Sequence, residues 1–346
     1  MAKGETPRKA THAGELTIKD IARLAGVSIS TVSRALNNSG MVRPDKLRSI
    51  RDVLARVDYI PNHAARTLVK RRTMTVGLIV PTLANPLFAP TIAGIEETLA
   101  GAGYGLLIAC SSRDPERELV HARTMIERGV DGMILTGTHR HPDLLQLMAA
   151  RGVIAVSQDD PFGTEGIAAV SMPDAAAMAC AIDALVLRGH RRIGVLSGPT
   201  ADTAAIAERL RGALERLAHH GIPTPPDRVI VTPDYSAEAA REATRLLLAE
   251  ASDLTAIACT GDILALGVIS QCRRCGRAVP CDISVIGCGQ TVMAQFADPE
   301  LSTVRLPFRE MGERAALILL RAMAGEEGAP TPAPLCFELI EGETVA

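Results

Sequence analysis

Apolar residues near the start of the chain recur at Ile18, Ile21, Ala22 and Ala25, the three-and-four spacing of one helical face, behind a capping Thr17. Ala25-Gly26-Val27 breaks that pattern, and glycine supplies the permissive backbone of a tight turn. Ser28 then caps a second predicted helix, Ile29 to about Leu36, with Val32 and Leu36 inward. A third, about Pro44 to Val57, lines up Leu47, Ile50, Val53 and Leu54. Helix, glycine turn, helix and a closing third helix form the helix-turn-helix plan.

From Thr75 the pattern changes to short apolar runs separated by helical stretches: Val76–Val80, Gly105–Ala109, Gly132–Leu135, Val153–Val156, Ile193–Leu196, Ala256–Cys259 and Ile283–Gly287. Runs of this kind are strands buried on both faces, which alternate with helices in parallel sheets. Roughly 270 residues suit two such sheets better than one. The expected fold class is therefore α/β, an N-terminal helix-turn-helix head on a core of two doubly wound parallel-sheet subdomains. Ligands of open α/β sheets bind beyond the carboxyl ends of the strands, so a cleft between facing sheets is the expected site.

Composition sharpens this picture. With 47% hydrophobic and 22% charged residues in 346, the chain is globular rather than disordered or fibrous. Aromatics are 2% and Trp is absent, so the core is aliphatic and stacking platforms for single-stranded nucleic acid are disfavoured. The net charge of −2 hides an asymmetry: residues 1–73 hold 15 Lys and Arg against 6 Asp and Glu, and the remainder 22 against 33. A compact basic segment on a large acidic body is the outline of a nucleic-acid-binding head, a solvated basic tail being the plainer alternative.

No apolar run reaches the ~18 residues of a membrane helix, and residues 1–15 lack the apolar centre of a signal peptide, so a cytoplasmic protein with reduced cysteines is expected. Cys272 and Cys275 form a CxxC near Cys281 and Cys288, but no second CxxC or paired His follows, so buried thiols are favoured and no metal or other cofactor is expected. The chain lacks a phosphate loop, a G-x-S-x-G elbow, an HExxH and a complete GxGxxG, and its histidines have no evident nucleophile partner; no enzyme is expected.

The polar face of the second helix carries Ser30, Thr31, Ser33 and Arg34, hydroxyls and a guanidinium suited to phosphates and major-groove base edges. Arg43, Lys46, Arg48 and Arg51 add positive charge on the third helix. A helical hairpin without a DNA role is the competing explanation.

The stretch Thr17-Ile18-Lys19-Asp20-Ile21-Ala22-Arg23-Leu24-Ala25-Gly26-Val27-Ser28-Ile29-Ser30-Thr31-Val32-Ser33-Arg34-Ala35-Leu36-Asn37 closely resembles the head of the lac-repressor (LacI/GalR) family of transcription regulators. Tyr59-Ile60-Pro61-Asn62-His63-Ala64-Ala65-Arg66-Thr67-Leu68 is similar to the family's hinge, a short helix on operator DNA in the dimer. The resemblance implies base reading by Ile29, Ser30 and Arg34 and backbone or supporting contacts from Thr31, Ser33 and Asn37. It places Ala65 in the minor groove and makes Leu68 an inserted wedge; Thr17, Ser28 and Asn62 complete the DNA-facing set. A Leu between Arg66 and Lys70-Arg71-Arg72 can unstack a base step while its basic neighbours hold phosphates. Alternatively, Leu68 anchors the linker on the body. Ile29 cannot donate a hydrogen bond, so a thymine methyl is its natural target.

The core resembles the same family's periplasmic-binding-protein-like effector domain, through Pro81-Thr82-Leu83-Ala84-Asn85-Pro86-Leu87-Phe88, Arg188-Gly189-His190-Arg191-Arg192-Ile193, Gly261-Asp262-Ile263-Leu264-Ala265-Leu266-Gly267 and Val279–Gly287. The implied layout is an arm over 1–16, head over 17–60, hinge over 61–73 and core over 74–346. Within the core, subdomain one covers about 74–172 plus 305–330 and subdomain two about 174–304 plus 331–346. Crossovers are expected near Ser171–Asp174, near Thr303–Leu306 and beyond about residue 330. The implied effector residues are Leu83, Asn85, Phe88, Asp159, Arg209, Asp262 and Gln290. Arg209 in Glu208-Arg209-Leu210-Arg211-Gly212 matches the arginine that reaches the ligand, a surface helix arginine being the alternative. Asp262 either lines the cleft or caps the helix that follows.

Departures from the family pattern point to the ligand. Cys288-Gly289-Gln290 stands where an aromatic and a carboxylate usually grip sugar hydroxyls, Met172-Pro173 replaces an acidic-amide pair, and Gly261 replaces an amide. Fewer carboxylates favour a sugar acid or other small carboxylate over a neutral sugar. Arg305-Leu306-Pro307-Phe308-Arg309-Glu310-Met311-Gly312 resembles the gluconate-repressor branch. A cleft that binds nothing is the opposing possibility. The expected function is a homodimeric repressor of double-stranded operator DNA, set by a small-molecule effector. No leucine heptad tail suggests a tetramer, and assembly beyond the dimer stays open. A solute-binding protein of periplasmic-binding type is the alternative; it would carry an export signal and no basic head.

Overall fold

The structure, a computed structural model, describes residues 16–37, 39–57, 72–326 and 334–346. The arm up to residue 15, the expected hinge contacts Asn62, Ala65 and Leu68, and the side chain of Asn37 lie outside the described residues. The chain divides into two compact units, Met1–Thr73 and Met74–Ala346.

The first unit holds α1 (Ile18–Leu24), α2 (Ile29–Asn37) and α3 (Pro44–Arg56). Thr17 and Asp20 form a reciprocal capping box: Thr17 N–H donates to the Asp20 carboxylate at 3.0 Å, and Asp20 N–H to the Thr17 hydroxyl at 3.4 Å. Gly26 ends α1 at φ +64°, a left-handed conformation that a side chain would strain. Pro44 opens α3, where its missing N–H is harmless. Ile21, Ala22, Ala25, Val32 and Ile50 are buried together, and Ile18, Val27, Leu36, Val53 and Leu54 pack against them. The helical periodicity thus closes a small aliphatic core.

In the second unit, β1 (Thr75–Val80), β2 (Gly105–Cys110), β3 (Gly132–Thr136), β4 (Ile154–Gln158) and β5 (Ala168–Val170) form a parallel sheet in the order β2-β1-β3-β4-β5. The other sheet has β6 (Ile193–Ser197), β7 (Val229–Val231), β8 (Ala256–Cys259), β9 (Ser284–Gly289), β10 (Ser302–Arg305) and β11 (Glu338–Ile340), in the order β11-β10-β9-β8-β6-β7. Only its β10–β11 pair is antiparallel. The helices are α4 (Phe88–Gly101), α5 (Pro115–Glu127), α6 (Asp143–Ala150), α7 (Asp174–Leu187), α8 (Ala204–His219), α9 (Ala237–Glu250), α10 (Asp262–Arg274), α11 (Val292–Gln295) and α12 (Phe308–Ala324).

Strand alternation sends successive side chains to opposite layers. In β1, Val76, Leu78 and Val80 face the core that includes Ile95 of α4 and Met311, Ala315 and Leu319 of α12, while Ile79 faces Ala122 and Met125 of α5. In β8, Ala256 and Ala258 face α7 and α8, and Ile257 and Cys259 face α9 and α10. Few aromatics mean close helix packing: a Cβ on Gly312 of α12 would overlap the Thr91 carbonyl of α4. The chain leaves the first sheet after β5 to enter α7, returns after β10 into α12 beside α4, and comes back to pair β11 with β10. These passages hinge two lobes at their facing edges.

Candidate DNA-reading helix and effector cleft

On the head, Ser28 organises the start of α2. Its hydroxyl accepts from Thr31 N–H at 3.2 Å and shares hydrogen bonds with the Ser30 hydroxyl at 2.9 Å and the Thr31 hydroxyl at 2.7 Å. Ile29 is 46% exposed, unusual for a β-branched apolar residue beside a formed core. Ser30 and Arg34 are exposed, and the Arg34 guanidinium has no hydrogen-bond or ion-pair partner among the described residues. Thr31 and Ser33 are half-buried flanks of the same helix. Thr17 is committed to the capping box of α1, which leaves its hydroxyl at the surface. Lys19, Arg23, Arg43, Lys46, Arg48, Arg51 and Arg56 of the same head are all exposed. A helix start with surface hydroxyls, a guanidinium without a partner among the described residues and exposed cations on the same head has the chemistry to meet an anionic groove.

In the core, the cleft is made by strand ends. Pro81 after β1, Ser111, Arg113 and Asp114 after β2, Thr136 to His139 after β3 and Asp159 after β4 line one side; Asp202, Thr203 and Ala204, opening α8, line the other. The enclosed part of the space is about 20 Å³, and it continues into open solvent. It sits where the strand order reverses between β1 and β3, the position at which loops part to admit a ligand. Arg113 reaches across to donate to the Asp202 carbonyl at 3.4 Å. Ser112, Arg113 and Asp159 have positive φ without being glycine and follow strands at this edge, and Gln290 does so after β9 of the other sheet. Such backbone costs about 1–3 kcal/mol per residue and concentrates at binding sites.

Arg209 lies on α8, 2% exposed, where its Nε donates to Asp174 Oδ1 at 2.6 Å and its Nη1 to the Thr260 carbonyl at 3.1 Å. Burial alone would lower its pKa, but Asp174 more than offsets that, so it stays charged. Burial raises the Asp174 carboxyl despite the pair. Burial, then the Asp174 charge, also raises Asp159, with Arg209 and Arg113 pulling the other way. Asp159, Asp174, Arg209 and Arg113 therefore form one electrostatic group.

Asp262 does not cap α10 through its side chain, which corrects that alternative. Its Oδ2 accepts from Thr291 N–H at 2.5 Å and its Oδ1 from the Thr303 hydroxyl at 2.6 Å, so it ties α10 to β10 and to the loop after β9. Gln290 accepts from Arg305, which also pairs with Glu338 at 2.7 Å. Leu83 is 59% exposed, Asn85 Oδ1 accepts from Leu87 N–H at 3.0 Å, and half-buried Phe88 opens α4. These last three form a turn after β1; only Asp159 of the predicted set lines the open space itself.

Sequence reasoning missed Asp174, Tyr235, Arg113 and Glu118. The Tyr235 hydroxyl lies 3.5 Å from the Thr260 carbonyl, and a Cβ on Gly261 would overlap it. Tyr235 thus occupies the space of a side chain at position 261, and burial pushes its phenol well up. Arg113 was findable, since it follows a predicted strand and precedes the helix-opening Asp114-Pro115. Tyr235 was not, because its loop comes from a different part of the chain.

Among the described residues no group of three or more His, Cys, Asp or Glu could hold a metal ion, and Cys272 and Cys288 are buried while Cys275 and Cys281 are exposed. No helix among them is long and apolar enough to cross a membrane.

A helix-turn-helix head carried by a two-lobed, cleft-forming α/β core is the build of a ligand-responsive DNA-binding transcription regulator. Residues 17–62 match the model of bacterial regulatory proteins of the lacI family, and residues 182–345 that of a periplasmic binding protein-like domain. The HTH-type transcriptional repressor CytR of Escherichia coli (strain K12) is 33% identical over 332 residues, 95% of this chain and 96% of the relative. The HTH-type transcriptional repressor PurR of Photobacterium profundum is 33% identical over 88% of this chain and 91% of its own. A lac repressor dimer bound to operator and an anti-inducer superposes with a TM-score of 0.86 at 26% identity, over 96% of this chain and 100% of that one. A CelR–cellobiose complex does so at 0.72 and 29%, over 95% and 100%. The chain belongs to the lacI family of bacterial regulatory proteins.

Proposed function

We propose that the protein is a dimeric repressor that reads duplex operator DNA with α2 and whose operator affinity is set by a polyhydroxylated small molecule in the inter-lobe cleft. Ile29 meets a thymine methyl, Ser30 and Arg34 meet polar base edges, and Thr31 and Ser33 support them from the backbone side. The dimer presents two heads to a near-palindromic site in the cytoplasm. Effector binding changes the spacing of the lobes, and the coupling is reciprocal: an inducer weakens DNA binding as much as DNA weakens inducer binding. The protein works by binding rather than catalysis, in keeping with its regulator relatives.

The observation that carries the proposal is the exposed, hydroxyl-rich start of α2 with the unpaired Arg34 beside it. Arg34→Ala is expected to cost about 1–3 kcal/mol on the operator and to relax one base preference. Lys70→Ala is expected to weaken all sequences alike and to reduce the salt slope by about one. Fluorescence anisotropy on operator and scrambled duplexes over a salt series separates the two. Loss of thermal stability with unchanged base preference in Arg34→Ala would remove α2 from the groove.

A further inference from the structure

The fold brings into the cleft carboxylates from segments far apart in the chain. Asp114, Glu118 and Asp159 line it on one lobe and Asp202 on the other, against Arg113 and His139. Asp114 spends its carboxylate on the N-terminus of α5, accepting from Glu116 N–H at 2.9 Å. Arg140 lies next to Glu118 and gives its Nη2 to the Gly137 carbonyl and the Ser157 hydroxyl. Its Nη1 stays 3.6 Å from Glu118 Oε1, a buried ion pair too long for a normal hydrogen bond, and its Nε and Nη1 have no hydrogen-bond partner.

Glu118 Oε2 has no partner, although the side chain is only 5% exposed and lines the cavity. Asp174 Oδ2 is buried without a partner as well. Arg209 pairs with Asp174 and, with Arg113, also draws on Asp159, yet Asp114, Glu118, Asp159 and Asp202 outnumber Arg113 among the charged groups that line the space. Burial pushes the Glu118 carboxyl up to about 7, and Arg140 offsets this only in part. The Arg140 charge at 3.6 Å therefore compensates the loss of water around Glu118 only in part.

We propose that the effector carries a basic nitrogen, as in an amino sugar, and that its ammonium docks against Glu118 and Asp159 while its hydroxyls meet Ser111, Thr136 and Thr138. An ammonium supplies three donors and a positive charge, which satisfies Glu118 Oε2 and offsets the excess. A neutral sugar supplies hydroxyl donors without the charge. A carboxylate adds like charge to a wall that already has too much. The assignment rests on the cleft being the effector site.

Matched sugars test it: glucose, glucosamine and glucuronate, then galactose, galactosamine and galacturonate, by calorimetry and thermal shift on the full chain at neutral pH. The amine is expected to bind about tenfold or more tighter than its neutral partner in at least one trio, with the acid weakest. Glu118→Gln is expected to lose most of that preference, and Asp159→Asn provides a second variant should the first fail to fold. Equal binding within every trio that binds, a preference for the acid, or an amine preference that survives both substitutions overturns the assignment and leaves the cleft as a sugar site. If no sugar in either trio binds or changes operator affinity, the assignment falls and the effector role of the cleft falls with it.

Discussion

Replacing Asp174 by leucine removes one half of the ion pair at the junction of the lobes and leaves the Arg209 guanidinium without its carboxylate. Both side chains are within 3% of full burial, and the Nε to Oδ1 distance is 2.6 Å. Breaking a pair that deep costs about 3–5 kcal/mol, because the surviving charge has no water to replace its partner. The Thr260 carbonyl still accepts from Nη1, which places the loss near the lower end, about 3 kcal/mol. For a core of this size about 2 °C is lost per kcal/mol, so the melting temperature is expected to fall by about 6 °C. Arg209→Met alone strands Asp174 in the same way. The double variant Asp174→Leu with Arg209→Met buries neither charge, and replacing a whole buried pair by apolar groups is close to neutral. It is therefore expected to be more stable than either single variant. Differential scanning calorimetry of the four proteins closes the cycle. A double variant that loses the sum of the two single losses would show that the charges do not support each other, and the electrostatic account of the cleft would fail.

Two further outcomes follow from the same geometry. Gly261→Ala drives a Cβ into the Tyr235 hydroxyl, and overpacking of this kind costs about 1–3 kcal/mol; Tyr235→Ala in the same chain should return much of that loss in urea unfolding, whereas an unaffected single variant would mean the two do not share space. Glu118 titrates near 7 when folded against an ordinary 4.5, so the folded state binds its proton more tightly and stability rises as pH falls through 7 towards 4.5. Glu118→Gln is expected to flatten that rise by up to ~3 kcal/mol and to be the more stable form above pH ~8; superimposable pH profiles would exclude the buried ionisation.

Residue spacing alone told much of the fold. The three-and-four rhythm of Ile18, Ile21 and Ala22, the break at Gly26 and the Ser28 cap are local signals, and the head folds on them. Apolar runs such as Val76–Val80 and Ile193–Leu196 became fully or mostly buried parallel strands, because a strand covered on both faces has no polar side to display. The exposure of Arg34 was also legible, since a guanidinium on the polar face of a short helix needs no distant segment to place it.

The cleft is another matter. Arg209 stood out in the sequence, but that Asp174 would take its Nε, and that both would be dry, depends on α7 and α8 packing together. Asp262 offered lining or capping, and instead ties Thr291 to Thr303 through a register set by β9 and β10. Gly261 read as a lost amide until Tyr235 proved to fill its place. Helix periodicity, turn chemistry and strand burial are written within a few neighbouring residues, so the chain alone specified them. Partner choice and the balance of charge at the strand ends arise between segments many residues apart, and only their packing decided which charged groups share one cavity.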